Sequence, residues 1–395
     1  MSLRTGNDLQ DRLNGLDAAG PERVCRLVDV ILEEAVRRSA SDVHFEPGNQ
    51  RVEVRYRLDG VLHTVANLHR ELAPNLVARL KVLADLLTYR LDIPQEGRLR
   101  QGVNSYGVDM RVSTFPTVHG EKAAVRIFDV GARMIDLEQL GLSEELQTAL
   151  EAMLKERTGA ILLTGPSGSG KTTTIYACLR HLVGLGEGRH IVTIEDPVEQ
   201  VIEGVSQSQA RPGTEFDFAR GLRSLLRQDP EVIMIGEVRD PETAAIAIEA
   251  ALTGHLVFST LHAGSACGVI GRLLEMGIES YLITSGLRGI LNQRLVRRLC
   301  ASCRRQVDSA WETVGCEQCT QTGYQGRMLL AELLLLLTEP LRQAILARSD
   351  TTALEAAAGI CRGPTIWSAA RQAVQRGLTT RQEIERVLGP GELGA

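Results

Sequence analysis

Apolar positions at 27, 28, 31, 32 and 35 recur at helical spacing just after Cys25, whereas residues 1–20 carry glycine and charge without any period. The chain is therefore expected to open with a flexible arm (1–20) and an amphipathic helix that begins a first domain. Strict alternation in Arg51-Val-Glu-Val-Arg-Tyr-Arg-Leu58, the pair Asp59-Gly60 and then Val61-Leu-His-Thr-Val65 predicts two strands joined by a tight turn, because Asp-Gly readily supplies left-handed turn residues. A helical pattern over 76–87 and strands near 106–112 and 122–128 complete a mixed α/β unit, residues 21–135. Beyond it the pattern changes: 160–164, 191–194, 232–235 and 256–261 are short apolar runs separated by helical stretches, as in a parallel sheet covered by helices. Residues 279–299 read as a helix leading into a cysteine cluster, followed by a leucine-rich run and a helical tail broken at Gly359, Gly363 and Pro364.

Composition narrows the possibilities. At 395 residues the chain suits two or three domains, and 44% hydrophobic against 24% charged residues excludes a wholly disordered protein. Lys plus Arg (44) against Asp plus Glu (49) gives a formal charge of −5, so no global positive field recruits nucleic acid or anionic lipid. The most apolar stretch, 328–337, contains Glu332 and is far shorter than the ~20 residues of a membrane span. The N-terminus, MSLRTGNDLQDRLNGLD, has no apolar core of a secretory signal, which points to the cytoplasm and a reducing compartment. In that setting the eight cysteines favour metal over disulfides, since four of them form C-x2-C-x12-C-x2-C.

Gly165-Pro166-Ser167-Gly168-Ser169-Gly170-Lys171-Thr172 fits the phosphate-binding G-x-x-x-x-G-K-[ST] pattern and lies between an expected strand and an expected helix. Glycines let backbone N–H groups converge on phosphate oxygens, and the helix that follows, through Thr173, directs its positive end at the same anion. Lys171 is expected on the β/γ-phosphates of ATP or ADP, and Thr172 on Mg²⁺. Two apolar strands end in acid, Glu195-Asp196-Pro197-Val-Glu199 and Glu237-Val-Arg239-Asp240, which suits a magnesium–triphosphate complex at the C-terminal sheet edge. One cluster can hold the metal and the other can orient the attacking water. Cys300, Cys303, Cys316 and Cys319 form two knuckles able to surround one tetrahedral Zn²⁺, structural because no coordination position stays open. The intervening loop has two arginines and one aromatic, too little for a nucleic-acid groove. Cys25, Cys178, Cys267 and Cys361 read as core or boundary residues.

With these residues in view, the chain resembles the hexameric secretion ATPases of type II secretion and type IV pilus assembly, the GspE/PilB family. Beyond the P-loop, the resemblance rests on Ala40-Ser-Asp-Val-His-Phe-Glu-Pro47, Arg55-Tyr-Arg-Leu-Asp-Gly60, Ile194-Glu-Asp-Pro-Val-Glu199, Leu222-Arg-Ser-Leu-Leu-Arg-Gln-Asp-Pro230 with Gly236-Glu-Val-Arg-Asp240, and Leu252-Thr-Gly-His-Leu-Val-Phe-Ser-Thr-Leu-His262. It implies a RecA-like P-loop NTPase domain (136–395) that includes the zinc module (300–319) and helical tail, preceded by a smaller PAS-like mixed α/β domain. It implies that Glu195 activates water and Glu237 helps hold Mg²⁺, with the reverse assignment as the alternative. His255 would sense the γ-phosphate and His262 would lie near the nucleotide or a subunit boundary. Arg111 and Arg126, with Arg55 and Arg57 beside them, would reach the phosphates. Arg223 and Arg227 share a helical face and would point toward the nucleotide or a neighbouring subunit, or form surface salt bridges.

The function so implied is an ATP-driven homo-hexameric motor at the cytoplasmic side of an inner membrane. It would associate with that membrane only peripherally, contact platform and docking proteins, and bind no nucleic acid directly. The tetracysteine module favours an assembly motor, because pilus-retraction relatives generally lack it. A conjugation-type DNA-transfer ATPase and a nucleotide-gated scaffold are the competing readings. Many relatives carry an additional N-terminal docking domain, and only about 20 residues precede the resembling region here, so the resemblance leaves open how the chain docks.

Overall fold

The computed structural model describes residues 6–16, 21–99, 108–128, 134–211, 213–214, 216–308, 310–335, 338–359 and 364–391. They divide into two compact units, Met1–Arg133 with Leu299–Gly326, and Met134–Arg298 with Arg327–Ala395. The cysteine module thus groups with the N-terminal unit, whereas the sequence reading attached it to the ATPase domain.

In the N-terminal unit the alternating stretches become β1 (Asp42–Pro47), β2 (Arg51–Leu58), β3 (Val61–His69), β4 (Gln95–Arg98), β5 (Asp109–Thr117) and β6 (Gly120–Phe128). They form one antiparallel sheet in the order β3-β2-β1-β6-β5-β4. The β2–β3 turn is built as its dipeptide requires, with Asp59 at φ 48° and Gly60 at φ 86°. Period-2 alternation sends Val43, Phe45, Val54, Tyr56, Met110 and Val125 to one face, each at most 1% exposed, in one core with the helices Pro21–Arg37 and Ala73–Leu83. On the other face the register aligns Arg57, Asp42, Arg126, Arg111 and Arg98 in one row across five strands. The expected flexible arm is in part a helix, Gly6–Asn14. Leu9 (0% exposed) and Leu13 (1%), four residues apart, anchor one helical face in the core, a stripe too short to stand out among its polar neighbours.

The second unit carries β7 (Gly159–Thr164), β8 (Ile191–Glu195), β9 (Val205–Gln209), β10 (Val232–Ile235), β11 (Leu256–Thr260) and β12 (Leu287–Leu299). The short strands β13 (Arg305–Val307) and β14 (Ala310–Glu312) pair with each other in the cysteine module. With β15 (Tyr324–Leu335), the seven-stranded sheet runs β15-β12-β7-β11-β10-β8-β9. Neighbours from β12 to β9 are parallel, which places the C-terminal ends of β7, β8, β10 and β11 along one edge. Both faces are covered by apolar clusters, which is why these strands read as continuous hydrophobic runs.

The expected helix over 279–299 is corrected: only Ser280–Gly286 is helical, and Leu287–Leu299 is a strand. Leu287, Ile290, Leu291 and Val296, each at most 1% exposed, are buried without strict alternation, and arginines at 294, 297 and 298 imitate a helical polar face. Four helices follow, Glu339–Leu346, Thr351–Gly359, Ile366–Gln375 and Arg381–Leu388. Among the described residues no helix is long and apolar enough to cross a membrane.

One buried acid ties the last helix to the sheet. Glu383, 1% exposed, accepts from the Arg297 backbone N–H at 2.9 Å and from its guanidinium at 2.7 and 3.0 Å, while Arg386 donates at 2.6 and 2.8 Å. Burial alone pushes its pKa up, but hydrogen bonds from Arg386 and Arg297 outweigh it and bring the carboxyl from 4.5 down to about 2. Because the folded pKa is the lower one, this stabilisation is present above pH 4.5 and disappears as pH falls through about 2. Glu383→Gln is expected to cost about 3 kcal/mol at pH 7, by leaving Arg297 buried without its counter-charge. Denaturant titrations at pH 7 and pH 3 check this, with the difference between variant and parent shrinking at the lower pH.

Candidate nucleotide and metal sites

The P-loop connects β7 to the helix Lys171–Gly184. Gly165 (φ 144°), Gly168 (φ 73°) and Gly170 (φ 90°) hold backbone conformations that side chains rarely adopt. A Cβ on Gly165 would also lie 2.4 Å from the Gln293 carbonyl oxygen, so this turn requires glycine twice over. Lys171 Nζ donates to the carbonyls of Gly165 (2.9 Å) and Pro166 (3.0 Å). Burial lowers the Lys171 pKa, an effect that the Glu237 carboxylate opposes and the Arg294 guanidinium reinforces. Ser169 Oγ is buried without a hydrogen-bond partner, a polar group directed at no protein acceptor or donor in a loop shaped for an anion.

A cavity of about 340 Å³ opens at this loop, and Glu195, Glu237 and His262 line it together with Ser167 through Thr173. The parallel sheet brings them there: Glu195 ends β8, Glu237 follows β10, and His262 follows β11. Glu195 is 2% exposed, and its carboxylate accepts from Tyr176, Thr193 and, at 3.1 Å, Gln207. Glu237 is half-buried, bonded through Oε1 to Arg239, with Oε2 at 4.0 Å from His262 Nε2. Triphosphate and Mg²⁺ fit this donor set: left-handed glycines, an unpartnered hydroxyl, a lysine, and Thr172 and Glu237 both lining the cavity.

Other expected site residues stand elsewhere. His255 precedes β11 and its Nδ1 lies 2.9 Å from the Ala250 carbonyl, at the N-terminal edge of the sheet. Five strand residues at ~3.3 Å each place it ~17 Å along the strand from the cavity edge, so it cannot sense a phosphate held by this loop. Arg223 is exposed and bonded to Glu242, and Arg227 donates to the Arg223 carbonyl at 2.9 Å; neither lines the cavity. Arg223 fits the surface salt-bridge alternative. Within the N-terminal unit, Arg126 bonds Asp42 (3.2 Å), Arg111 lies over the Phe128 ring (5.0 Å), Arg57 pairs with Asp42 (3.3 Å) and Arg55 with Glu46 (2.9 Å).

Sequence reasoning missed Tyr176, Gln207, Leu295 and Arg327. Tyr176 and Gln207 hold Glu195, while Leu295 and Arg327 line the cavity. A lone tyrosine in a helical pattern carries no signal. Arg327 lies 156 positions after Lys171, and only strand β15 brings it to the site.

The four cysteine sulfurs lie within 4.8 Å of one another. Three Sγ···Sγ separations are 3.7–3.8 Å, matching the ~3.8 Å edge of a tetrahedron with ~2.3 Å metal–sulfur bonds. The Gly323 backbone N–H donates to Cys319 Sγ at 3.2 Å. Cys178 and Cys267 are buried, Cys25 is partly so, and Cys361 lies outside the described residues.

The family model for type II/IV secretion system proteins matches residues 17–386. A putative type II secretion system protein E of Escherichia coli K12 is 45% identical over 363 residues, 88% of this chain and 72% of that protein. The type II secretion system ATPase E of Vibrio cholerae is 40% identical over 389 residues, 94% of this chain and 76% of that protein. Among solved structures, the pilus retraction motor PilT with bound ADP superposes with a TM-score of 0.61 at 27% identity, covering 92% of this chain and 97% of that one. The ATPase DotB of Legionella pneumophila shares the fold, with a TM-score of 0.67 at 23% identity over 93% of this chain and 96% of that one. The chain belongs to the type II/IV secretion system protein family and is a secretion-type ATPase.

Proposed function

We propose that the chain is the subunit of a homo-hexameric motor at the cytoplasmic face of the inner membrane, where ATP hydrolysis drives assembly of pilin-like subunits for type II secretion or a type IV pilus. Platform and docking proteins would hold it there, with peripheral membrane contact only. The observation that carries this reading is the convergence of P-loop, Glu195, Glu237 and His262 on one cavity in a chain of this family. Lys171 and the loop N–H groups bind the phosphates, and Glu195 orients the attacking water. Thr172 and Glu237 would hold Mg²⁺, which would supply positive charge against the phosphates. The tetracysteine cluster takes Zn²⁺ in a structural role.

Two substitutions separate the carboxylates. Glu195→Gln is expected to lower kcat ~10²–10³-fold with Mg-ATP affinity nearly kept, since a water-orienting charge acts chiefly in the transition state. Glu237→Gln is expected to raise the Mg²⁺ concentration needed for half-maximal turnover. Phosphate release measured across a Mg²⁺ titration distinguishes them, and an exchange of the two phenotypes would reverse the assignment.

A further inference from the structure

Glu195 borders the nucleotide cavity and yet is held from three directions. Tyr176, on the P-loop helix, donates its hydroxyl proton to Oε2; Thr193, on the same strand, and Gln207, on β9, donate to Oε1. Gln207 is itself fixed, donating to the Gln200 carbonyl at 2.9 Å and accepting from the Ile202 N–H at 2.7 Å. An ionised carboxylate offers about four acceptor positions. Both positions on Oε1 are filled, so the one left for a water lies on Oε2, beside the Tyr176 hydroxyl.

We propose that Tyr176 is a positioning residue for ATP hydrolysis, which fixes the Glu195 oxygen that faces the attacking water and ties it to the helix that receives the phosphates. The inference rests on Glu195 being the water-orienting carboxylate. Tyr176 is 2% exposed and stands five residues after Lys171, where the phosphate-binding loop ends and the helix begins. Its oxygen also accepts from the Glu199 N–H at 3.2 Å, so one hydroxyl joins the P-loop helix to both ends of the acidic segment. Burial, with Glu195 adding to it, raises the tyrosine pKa above its ordinary value, so the hydroxyl stays a donor across the range of activity. Donors that carry no charge orient the carboxylate without cancelling its negative charge.

Tyr176→Phe keeps the ring and removes the donor. It is expected to lower kcat about tenfold with KM for ATP within about twofold, because the carboxylate loses the donor that fixes its orientation. In a Glu195→Gln background the same substitution is expected to cost nothing further, since its effect passes through that carboxylate. Tyr176→3-fluorotyrosine, which keeps a hydroxyl donor at nearly the same size, is expected to hold kcat within about twofold of wild type, so that the loss follows the donor and not the packing of the ring. A wild-type kcat in Tyr176→Phe beside an inactive Glu195→Gln overturns the role of Tyr176 alone. A fully active Glu195→Gln overturns the reading of Glu195 instead. If Tyr176→Phe fails to bind ADP, the fluorotyrosine variant decides, and a kcat there about tenfold below wild type, with the donor kept, overturns the proposal.

Discussion

Lys171→Ala is expected to reduce ATP turnover at least about a hundredfold, the scale on which a single preorganised charge or donor acts on a charged transition state. Lys171 is 9% exposed and starts the helix at the P-loop, with its ammonium on the carbonyls of Gly165 and Pro166 at 2.9 and 3.0 Å. That position is preset: the side chain is already desolvated, so little order is lost when it turns to a phosphate oxygen. Burial lowers its pKa and the Glu237 carboxylate works against that shift; a bound phosphate adds negative charge in the same sense and favours the ammonium further. Alanine removes the charge but keeps helix propensity at the first helical position. Unfolding without nucleotide should therefore be nearly unchanged, while ADP affinity falls along with turnover. Phosphate release with Mg-ATP, beside thermal melts with and without ADP, makes the comparison; undiminished turnover would reject Lys171 as a phosphate ligand.

Much of this site can be read in the sequence because its parts are local. The P-loop is a contiguous string whose glycines are needed at Gly165, Gly168 and Gly170 for their backbone angles, and Glu195 and Glu237 announce themselves as acids ending apolar strands. What failed was direction and distance. His255 and His262 look like one motif, but the seven-residue step contains the whole of β11 and sends them to opposite edges of the sheet. Leu287–Leu299 is a strand whose two buried faces erase the alternation that would have marked it. Tyr176 and Arg327 acquire meaning only through tertiary contact, one through a bond to Glu195 and the other through its place in the cavity wall. The helix Gly6–Asn14 depends on a core supplied by residues far along the chain, which no local window contains.

Removing the metal is expected to unfold residues 299–326 and to leave the ATPase sheet folded. Among the described residues of this segment, the hydrophobic side chains counted as buried are Leu299, Cys300, Cys319 and Tyr324, so the ligands themselves make up half of that core. β13 and β14 are three residues each, and the Arg304–Trp311 stacking at 5.0 Å is a small addition. Against this, structural zinc in finger peptides contributes ~10–16 kcal/mol, far more than any contact inside the segment. One zinc per chain is therefore expected by elemental analysis, with zinc released by a chelator and retained less well at acid pH, where thiolates take up protons. Cys300→Ser with Cys316→Ser should abolish zinc binding and open the loop between the knuckles to proteases. Because β12 and β15 both belong to the seven-stranded sheet, an unfolded segment stays tethered at both ends while the P-loop keeps its supports, and ADP affinity should change little. A chain that purifies without metal and resists proteolysis across 304–315 would instead show that the four sulfurs pack as an ordinary core, and the structural role of zinc would fall.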